Sequence, residues 1–238
     1  MNISDLINIQ AYVINMPDKE DNYIRARSEL CKHGFKNVNR FVSFDSQNED
    51  LLIKKSCELG LTKFHGSNSQ QSLSLAHFNI LKILIDSNEE SILIFEDDIV
   101  FHSEFNSLIE SKIKNIQIEN LDLLFLGSWV VNNKVTDIDF VEKKHGILHA
   151  HAYLITKKAA IKVLNHCRSV GYRAVDQVYN STMSGQLTQI AIIQSPKSSN
   201  NTDKVRTKEE EMTGLVYQLK HPSYVINNNR IDKQWSCR

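Results

Sequence analysis

The sequence alternates between short apolar runs and longer segments with helical periodicity. Continuous apolar runs predict strands at residues 11–14, 92–95, 121–126, 153–155 and 190–193, and residues 38–44 alternate in the manner of a strand. Between them, three segments place apolar residues on one helical face, at 21–33, 73–85 and 157–167. A strand that is apolar throughout must be covered on both faces. The order therefore predicts an α/β fold with a mostly parallel central sheet and helices on both faces.

The length and charge of the chain limit its organisation and its partners. The 238 residues carry 28 Lys and Arg against 28 Asp and Glu, so the formal net charge is zero. This balance argues against a nucleic-acid-binding protein, which usually has a basic excess. We expect one domain over residues 1–238, with a polar, mobile loop at 195–212 and a C-terminal appendage at 213–238.

Signals for export are not visible in the sequence. The first ten residues contain Asp5 and lack the basic and apolar regions of a secretory signal. The apolar runs are too short to span a bilayer, and the four cysteines are scattered without zinc-site spacing. We therefore expect a cytoplasmic protein with reduced thiols and no membrane span.

Three consecutive acids, Glu96, Asp97 and Asp98, end the apolar run at 92–95. Open α/β sheets bind their ligands at the carboxyl ends of strands, and adjacent carboxylates repel each other unless a cation compensates. Oxygen ligands of this kind suit Mg²⁺ or Mn²⁺, which commonly also bind substrate phosphates. The alternative is a solvated acidic turn. A phosphatase of the haloacid-dehalogenase type is disfavoured because the Asp-x-Asp pattern is missing, and no glycine-rich phosphate loop occurs.

Five segments in order carry a resemblance to a known family. They are Tyr12-Val13-Ile14-Asn15, Arg40-Phe41-Val42-Ser43-Phe44-Asp45, the helix with His77, Ile94-Phe95-Glu96-Asp97-Asp98, and Ala152-Tyr153-Leu154-Ile155-Thr156. This order resembles glycosyltransferase family 25, the lipooligosaccharide and procollagen galactosyltransferase group, over roughly residues 10–200. The resemblance implies a GT-A-like, Rossmann-like fold. It also implies transfer of a hexose, galactose or glucose, from a UDP-sugar to a hydroxyl of a glycan or hydroxylated side chain.

The resemblance also implies roles for individual residues. The donor would be bound by residues from four segments, namely Val13, Ile14, Asn15, Asp45, His77 and Asp97. Mn²⁺ or Mg²⁺ would be held by Glu96 and Asp98, with His221 as a further candidate ligand. If the reaction inverts the anomeric carbon, a carboxylate must accept the acceptor proton, and Asp176 is the candidate base. Asp176 could instead be an ordinary surface or helix-capping acid.

Some residues depart from the family pattern. Family members usually have arginines soon after the first strand, whereas the nearest here are Arg25 and Arg27. The Gly-Cys pair before the central Ser-His element is replaced by Ser72-Leu73, and the serine itself by Ala76. A catalytically inactive module that binds glycans or nucleotide sugars is therefore the alternative function, and a phosphoryl-transfer enzyme is a third.

Other conspicuous side chains have structural interpretations. His77 lies on an apolar helical face, as a hydrogen-bonded core histidine would. His145, His149 and His151 resemble a zinc tract, but we favour a partly solvated strand. Trp129 could stack on a sugar ring or pack in the core.

Overall fold

The structure is a computed structural model that describes residues 1–114, 116–117, 120–130, 140–142, 147–183, 186–192, 212–218 and 232–234. Its helices are α1 (Ile3–Asn8), α2 (Glu20–Lys32), α3 (Glu49–Glu58), α4 (Asn68–Asp86), α5 (Phe105–Ile113), α6 (Lys157–Val170) and α7 (Val175–Gln177), which continues into a π-helical turn at Val178–Thr182. Its strands are β1 (Ala11–Asn15), β2 (Val38–Val42), β3 (Lys63–His65), β4 (Ser91–Glu96), β5 (Ile99–Phe101), β6 (Leu123–Val130), β7 (Phe140–Glu142), β8 (Ile147–Thr156), β9 (Gln189–Ile192), β10 (Met212–Gly214), β11 (Val216–Gln218) and β12 (Asp232–Gln234).

Most of these strands form one eight-stranded sheet in the order β2-β1-β4-β8-β6-β9-β7, with β10 paired to β6. β1 is parallel to both β2 and β4, and β6 is parallel to β9, whereas β8 lies antiparallel between β4 and β6. Consequently β1, β2, β4, β6 and β9 share one direction, and β7, β8 and β10 run against them. The predicted α/β fold with a mostly parallel sheet is confirmed.

Helices cover both faces of the sheet. The side chains of a strand alternate between its two faces, so a strand that is apolar throughout needs a core on each side. In β4, Ile92 and Ile94 pack on the side of α3, α4 and α6. Leu93 and Phe95 pack on the opposite side, with α1, α2 and α5. Burial of each such side chain contributes about 1.5–3 kcal/mol. The continuous apolar run is thus explained by two separate cores.

Local signals set where the main helices begin and end. Ser67 and Gln70 form a reciprocal capping box at the start of α4, and Thr156 caps α6. Gly34 follows α2 with a φ of 93°, a conformation that favours glycine. Its amide donates to the Cys31 carbonyl, and the Phe35 amide donates to the Leu30 carbonyl, as in a Schellman motif.

The apolar pattern does not predict α1, α3, α5 or the short strands β3, β5, β7 and β10–β12. These elements span too few residues for a periodic pattern to identify them. Residues 195–211 of the expected loop lie outside the described residues, and Met212 begins β10. In the expected appendage, β10, β11 and β12 pair with β6, β5 and β3. A single domain over the whole chain stays a prediction.

The thiols differ from the expectation. Cys31 and Cys167 are free, but Cys57 is disulfide-bonded, so the prediction of reduced thiols is wrong for Cys57. Cys237 lies outside the described residues. Because disulfides are rare in cytosolic proteins, this bond gives no support to the cytoplasmic expectation. Within the described ranges, no helix has both the length and the apolar character needed to cross a membrane.

Candidate functional site

The acidic turn lies where the sequence predicts it, at the carboxyl end of a central strand. Glu96 is the last residue of β4 and pairs in register with Ile14 of β1. Asp97 and Asp98 connect β4 to β5. The carboxyl ends of two parallel strands therefore meet at this turn, the usual location of ligands in an open α/β sheet.

The first two acids of the turn face opposite sides of the sheet. Glu96 points toward α4, where its Oε1 lies 3.8 Å from Nε2 of His77. Asp97 points to the other side, where its Oδ2 accepts a 2.5 Å hydrogen bond from Nδ2 of Asn15. This division follows from the alternation of side chains along a strand. The three acids are adjacent in sequence, but they do not form one cluster.

The carboxyl group of Asp97 is partly buried and hydrogen-bonded. Burial raises its pKa above the ordinary value, against the hydrogen bonds from Asn15 and Asn22 and the positive charge of Arg25. The backbone of the same turn is held by Arg25, which donates from Nη1 to the Ile99 carbonyl at 2.8 Å and from Nη2 to the Asp97 carbonyl. No sequence pattern marks Arg25 for this role, because hydrogen bonds to backbone carbonyls leave no signal in the sequence.

Asn15 links the acidic turn to the neighbouring strand. Its side-chain oxygen accepts a 2.9 Å hydrogen bond from Nε of Arg40, and its amide also donates to the Lys19 carbonyl. The Arg40 guanidinium lies 5.4 Å from the centre of the Tyr23 ring. Asn15 is buried, as are the other two donor-site candidates of β1, Val13 and Ile14, whose side chains belong to opposite cores.

On the α4 side, a buried chain of polar groups begins beside Glu96. His77 is completely buried, and its Nδ1 lies 2.9 Å from the Tyr153 hydroxyl, which lies 3.0 Å from the Tyr179 hydroxyl. Burial lowers the pKa of His77 to about 3, although the negative charge of Asp176 opposes the shift. Asp176 in α7 is thus close enough to act on His77 electrostatically. The structure brings Glu96, His77 and Asp176 to the same side of the sheet.

The other predicted residues lie apart from this arrangement or outside the described residues. Asp45 is exposed after β2, and its Oδ1 accepts a hydrogen bond from the Gln47 amide. His151 lies in β8, as predicted, but it is completely buried where a partly solvated strand was expected, and its Nε2 lies 2.9 Å from the Val216 carbonyl. His145, His221 and the side chains of His149 and Trp129 lie outside the described residues.

A C-terminal segment of the chain packs against the site region. β11 pairs antiparallel with β5, so that Gln218 lies opposite Ile99, the residue directly after the acidic turn. A Cβ atom on Gly127 of β6 would lie 1.7 Å from the Val216 carbonyl oxygen. This segment approaches the sheet so closely that only glycine fits. His221 follows Gln218 by three residues in the sequence.

Two acids of the turn could contribute to a divalent-cation site that takes the rest of its coordination from a ligand. In the described part of the chain, no group of three or more His, Cys, Asp and Glu side chains could hold a metal ion by itself. Mg²⁺ and Mn²⁺ sites often use one or two carboxylates together with substrate phosphates. Glu96 and Asp98 are the acids of the turn that could supply such ligands, since Asp97 is bonded to Asn15.

Comparison with known protein families gives a match over most of the chain. A sequence model of the family described as "Glycosyltransferase family 25 (LPS biosynthesis protein)" matches residues 8–179. That range contains the acidic turn, His77 and Asp176. No protein with a curated description matches the sequence.

Several solved structures are distantly similar. The apo form of the glycosyltransferase GlyE from Streptococcus pneumoniae TIGR4 is 13% identical, with a TM-score of 0.41, over 76% of this chain and 45% of that chain. This chain therefore spans less than half of the length of GlyE. A glycosyltransferase involved in glycosylation of the major capsid of PBCV-1 is 11% identical, with a TM-score of 0.43, over 79% of this chain and 82% of that chain. The inositol-1-phosphate CTP transferase from T. maritima is 13% identical, with a TM-score of 0.43, over 83% and 94%.

Proposed function

Because the chain belongs to glycosyltransferase family 25, we propose that it transfers a hexose, galactose or glucose, from a UDP-sugar to a hydroxyl of a glycan or hydroxylated side chain. The proposed reaction depends on a divalent cation, Mn²⁺ or Mg²⁺. The observation that carries the proposal is the acidic turn at the carboxyl ends of β4 and β1, with Glu96 on the same side as Asp176.

The carboxylates have different roles in the proposed reaction. Glu96 and Asp98 would hold the cation, with His221 as a candidate third ligand. When bound, the cation supplies positive charge to the diphosphate leaving group. Asp97 would act indirectly. Its hydrogen bond from Asn15 would fix the end of β1, where the nucleotide would lie. In an inverting reaction, the Asp176 carboxylate would accept the proton of the acceptor hydroxyl.

UDP binding measured by calorimetry, with Mn²⁺ or with EDTA, tests the cation dependence. Mn²⁺ is expected to raise UDP affinity in the wild type, and Asp98→Asn is expected to remove that increase. Glu110→Gln is the matched control, since it also neutralises one acid but at an exposed position on α5. UDP affinity that is independent of Mn²⁺ in all three proteins would refute the proposed site.

Turnover separates the enzyme from the inactive binding module. Hydrolysis of UDP-galactose and UDP-glucose without an acceptor should release UDP slowly and only with Mn²⁺. UDP binding without release of UDP, with any hydroxyl acceptor tried, would favour a module that binds nucleotide sugars. The departures at Ser72-Leu73 and Ala76 make this second measurement necessary.

A further inference from the structure

The buried polar chain on the α4 side connects three elements of the fold to the acidic turn. His77 comes from α4, Tyr153 from β8, and Tyr179 from the π-helical turn after α7. All three side chains are completely buried. The rings of His77 and Tyr153 are also stacked, with centroids 5.8 Å apart and planes at 19°. These contacts fix the position and orientation of the imidazole from the side of Nδ1, away from the acidic turn.

The far side of the imidazole faces the acidic turn. Nε2 of His77 is buried and makes no hydrogen bond with any residue that the structure describes. Oε1 of Glu96 lies 3.8 Å from it, which is beyond hydrogen-bond distance but within reach of a small side-chain rotation. The negative charge of Asp176 also acts on the ring. Buried polar atoms are normally paired, so a nitrogen aimed at a carboxylate without a bond calls for an explanation beyond core packing.

The directions of the hydrogen bonds follow from the chemistry of the groups. Complete burial disfavours the doubly protonated, charged ring, and a neutral imidazole carries one hydrogen, either on Nδ1 or on Nε2. A lone pair on Nε2 would face a carboxylate oxygen and repel it. With the hydrogen on Nε2, the ring attracts Glu96, and Nδ1 accepts the hydrogen of the Tyr153 hydroxyl. Tyr179 then donates to Tyr153, so that every group in the chain has a consistent role.

We propose that His77 is a positioning residue that orients the Glu96 carboxylate through Nε2–H, in the tautomer that Tyr153, by donating to Nδ1, and the negative charge of Glu96 favour together. His77 acts through Glu96 and does not contact the nucleotide, in contrast to the direct donor-binding role that the family resemblance implies. The role of an oriented Glu96 in binding a cation rests on the proposed function. The contact between His77 and Glu96 does not depend on that function, and it can be measured in the ligand-free protein.

The ring nitrogens of His77 report the contact directly. Nitrogen-15 spectra of the ligand-free protein should show a protonated, pyrrole-type Nε2 and an unprotonated, pyridine-type Nδ1, assigned by the signals that disappear in His77→Gln. Glu96→Gln removes the carboxylate and is expected to shift the population toward the Nδ1–H tautomer. A hydrogen on Nδ1 in the wild type, or a tautomer that Glu96→Gln leaves unchanged, would overturn the proposal.

Two substitutions of His77 separate positioning from packing. In His77→Gln, the amide nitrogen of glutamine can take the place of Nε2. In His77→Asn, the amide nitrogen of asparagine can take the place of Nδ1 only. Replacement of a group that orients a metal ligand typically lowers metal affinity by about 10–100-fold. We expect Mn²⁺ affinity in the presence of UDP to fall by about that factor in His77→Asn and to recover largely in His77→Gln.

The outcomes distinguish this proposal from the proposed function. Equal losses in both variants, with matched losses in thermal stability, would mean that His77 only fills the core and would overturn the positioning role. A wild-type protein that shows the Nε2–H tautomer and its response to Glu96→Gln, yet binds no Mn²⁺ with UDP, would refute the proposed function while supporting the contact.

Discussion

Replacement of Arg25 by alanine should release the acidic turn from α2. The guanidinium donates to the carbonyls of Asp97 and Ile99, on either side of Asp98. Without it, both carbonyls lose a charged donor in a part-buried position. The connection between β4 and β5 would then be held by fewer contacts, and Asp98 would be less well oriented.

The two hydrogen bonds set the expected magnitude. A hydrogen bond to a charged group contributes about 1.5–3 kcal/mol to stability, with the lower end appropriate where solvent screens the charge. We therefore expect Arg25→Ala to reduce the free energy of unfolding by about 2–4 kcal/mol. For a chain of this length, this lowers Tm by about 4–16 °C. Arg25→Lys can reach only one carbonyl at a time, so about half of the loss should remain.

Urea unfolding and UDP calorimetry with Mn²⁺ provide the assays, and Arg27→Ala provides the matched control. Arg27 lies on the same helix but is exposed, so its replacement should change stability by no more than about 0.5 kcal/mol. UDP affinity should fall in Arg25→Ala and remain unchanged in Arg27→Ala. Equal stability losses in the two variants, or a stable Arg25→Ala protein, would refute the assignment of Arg25 as the residue that holds the turn.

Three further predictions concern stability. Gly127→Ala would place a Cβ 1.7 Å from the Val216 carbonyl oxygen, so urea unfolding should show a loss of about 3 kcal/mol. A loss below about 1 kcal/mol would contradict this close approach. The folded pKa of His77, about 3, lies below the unfolded value of 6.5, so the unfolded chain binds one more proton between these pH values. Stability should therefore fall with decreasing pH across this window. The slope of the free energy of unfolding against pH should be smaller in His77→Gln by up to about 1.4 kcal/mol per pH unit. Equal slopes in the two proteins would contradict the buried, neutral ring. Asp122 has a side chain only 4% exposed and accepts a 2.8 Å hydrogen bond from Lys162, whose side chain is 35% exposed. Lys162→Met removes the cation from the buried Asp122 carboxylate, which keeps only the hydrogen bond from the Thr188 amide among those to described residues, and should cost about 3 kcal/mol. This loss should exceed that of Asp122→Asn, which leaves a lysine that water can reach. The reverse order in thermal unfolding would exclude this explanation.

The location of the acidic turn can be read from the sequence. The apolar run of β4 followed by three acids predicts a strand that ends in a polar turn, and the structure has that turn beside the end of β1. The roles within the turn are less accessible. Arg25 binds backbone carbonyls, and its position 72 residues from Asp97 in the chain gives no pattern that links the two.

The histidine environments were also beyond the reach of sequence patterns. His77 was expected to be a core histidine or a donor-binding residue, and the structure shows a buried ring with a carboxylate on one side and a tyrosine on the other. Tyr153 reaches it because β8 lies antiparallel against β4, with Tyr153 opposite Ile94. A pairing between strands so far apart in sequence depends on the whole sheet, so no local pattern predicts it.

The sequence by itself determined the α/β class, the main strands and helices, and the acids at the end of β4, because periodicity and capping act over a few neighbouring residues. The tertiary structure decided which partner each acid has. The pleat of the strand sends Glu96 toward His77 and Asp97 toward Asn15, and the packing of different helices on the two faces supplies those partners. Three adjacent carboxylates thus acquire different environments, since the neighbours of a buried side chain are set by the sheet order and register of the whole fold.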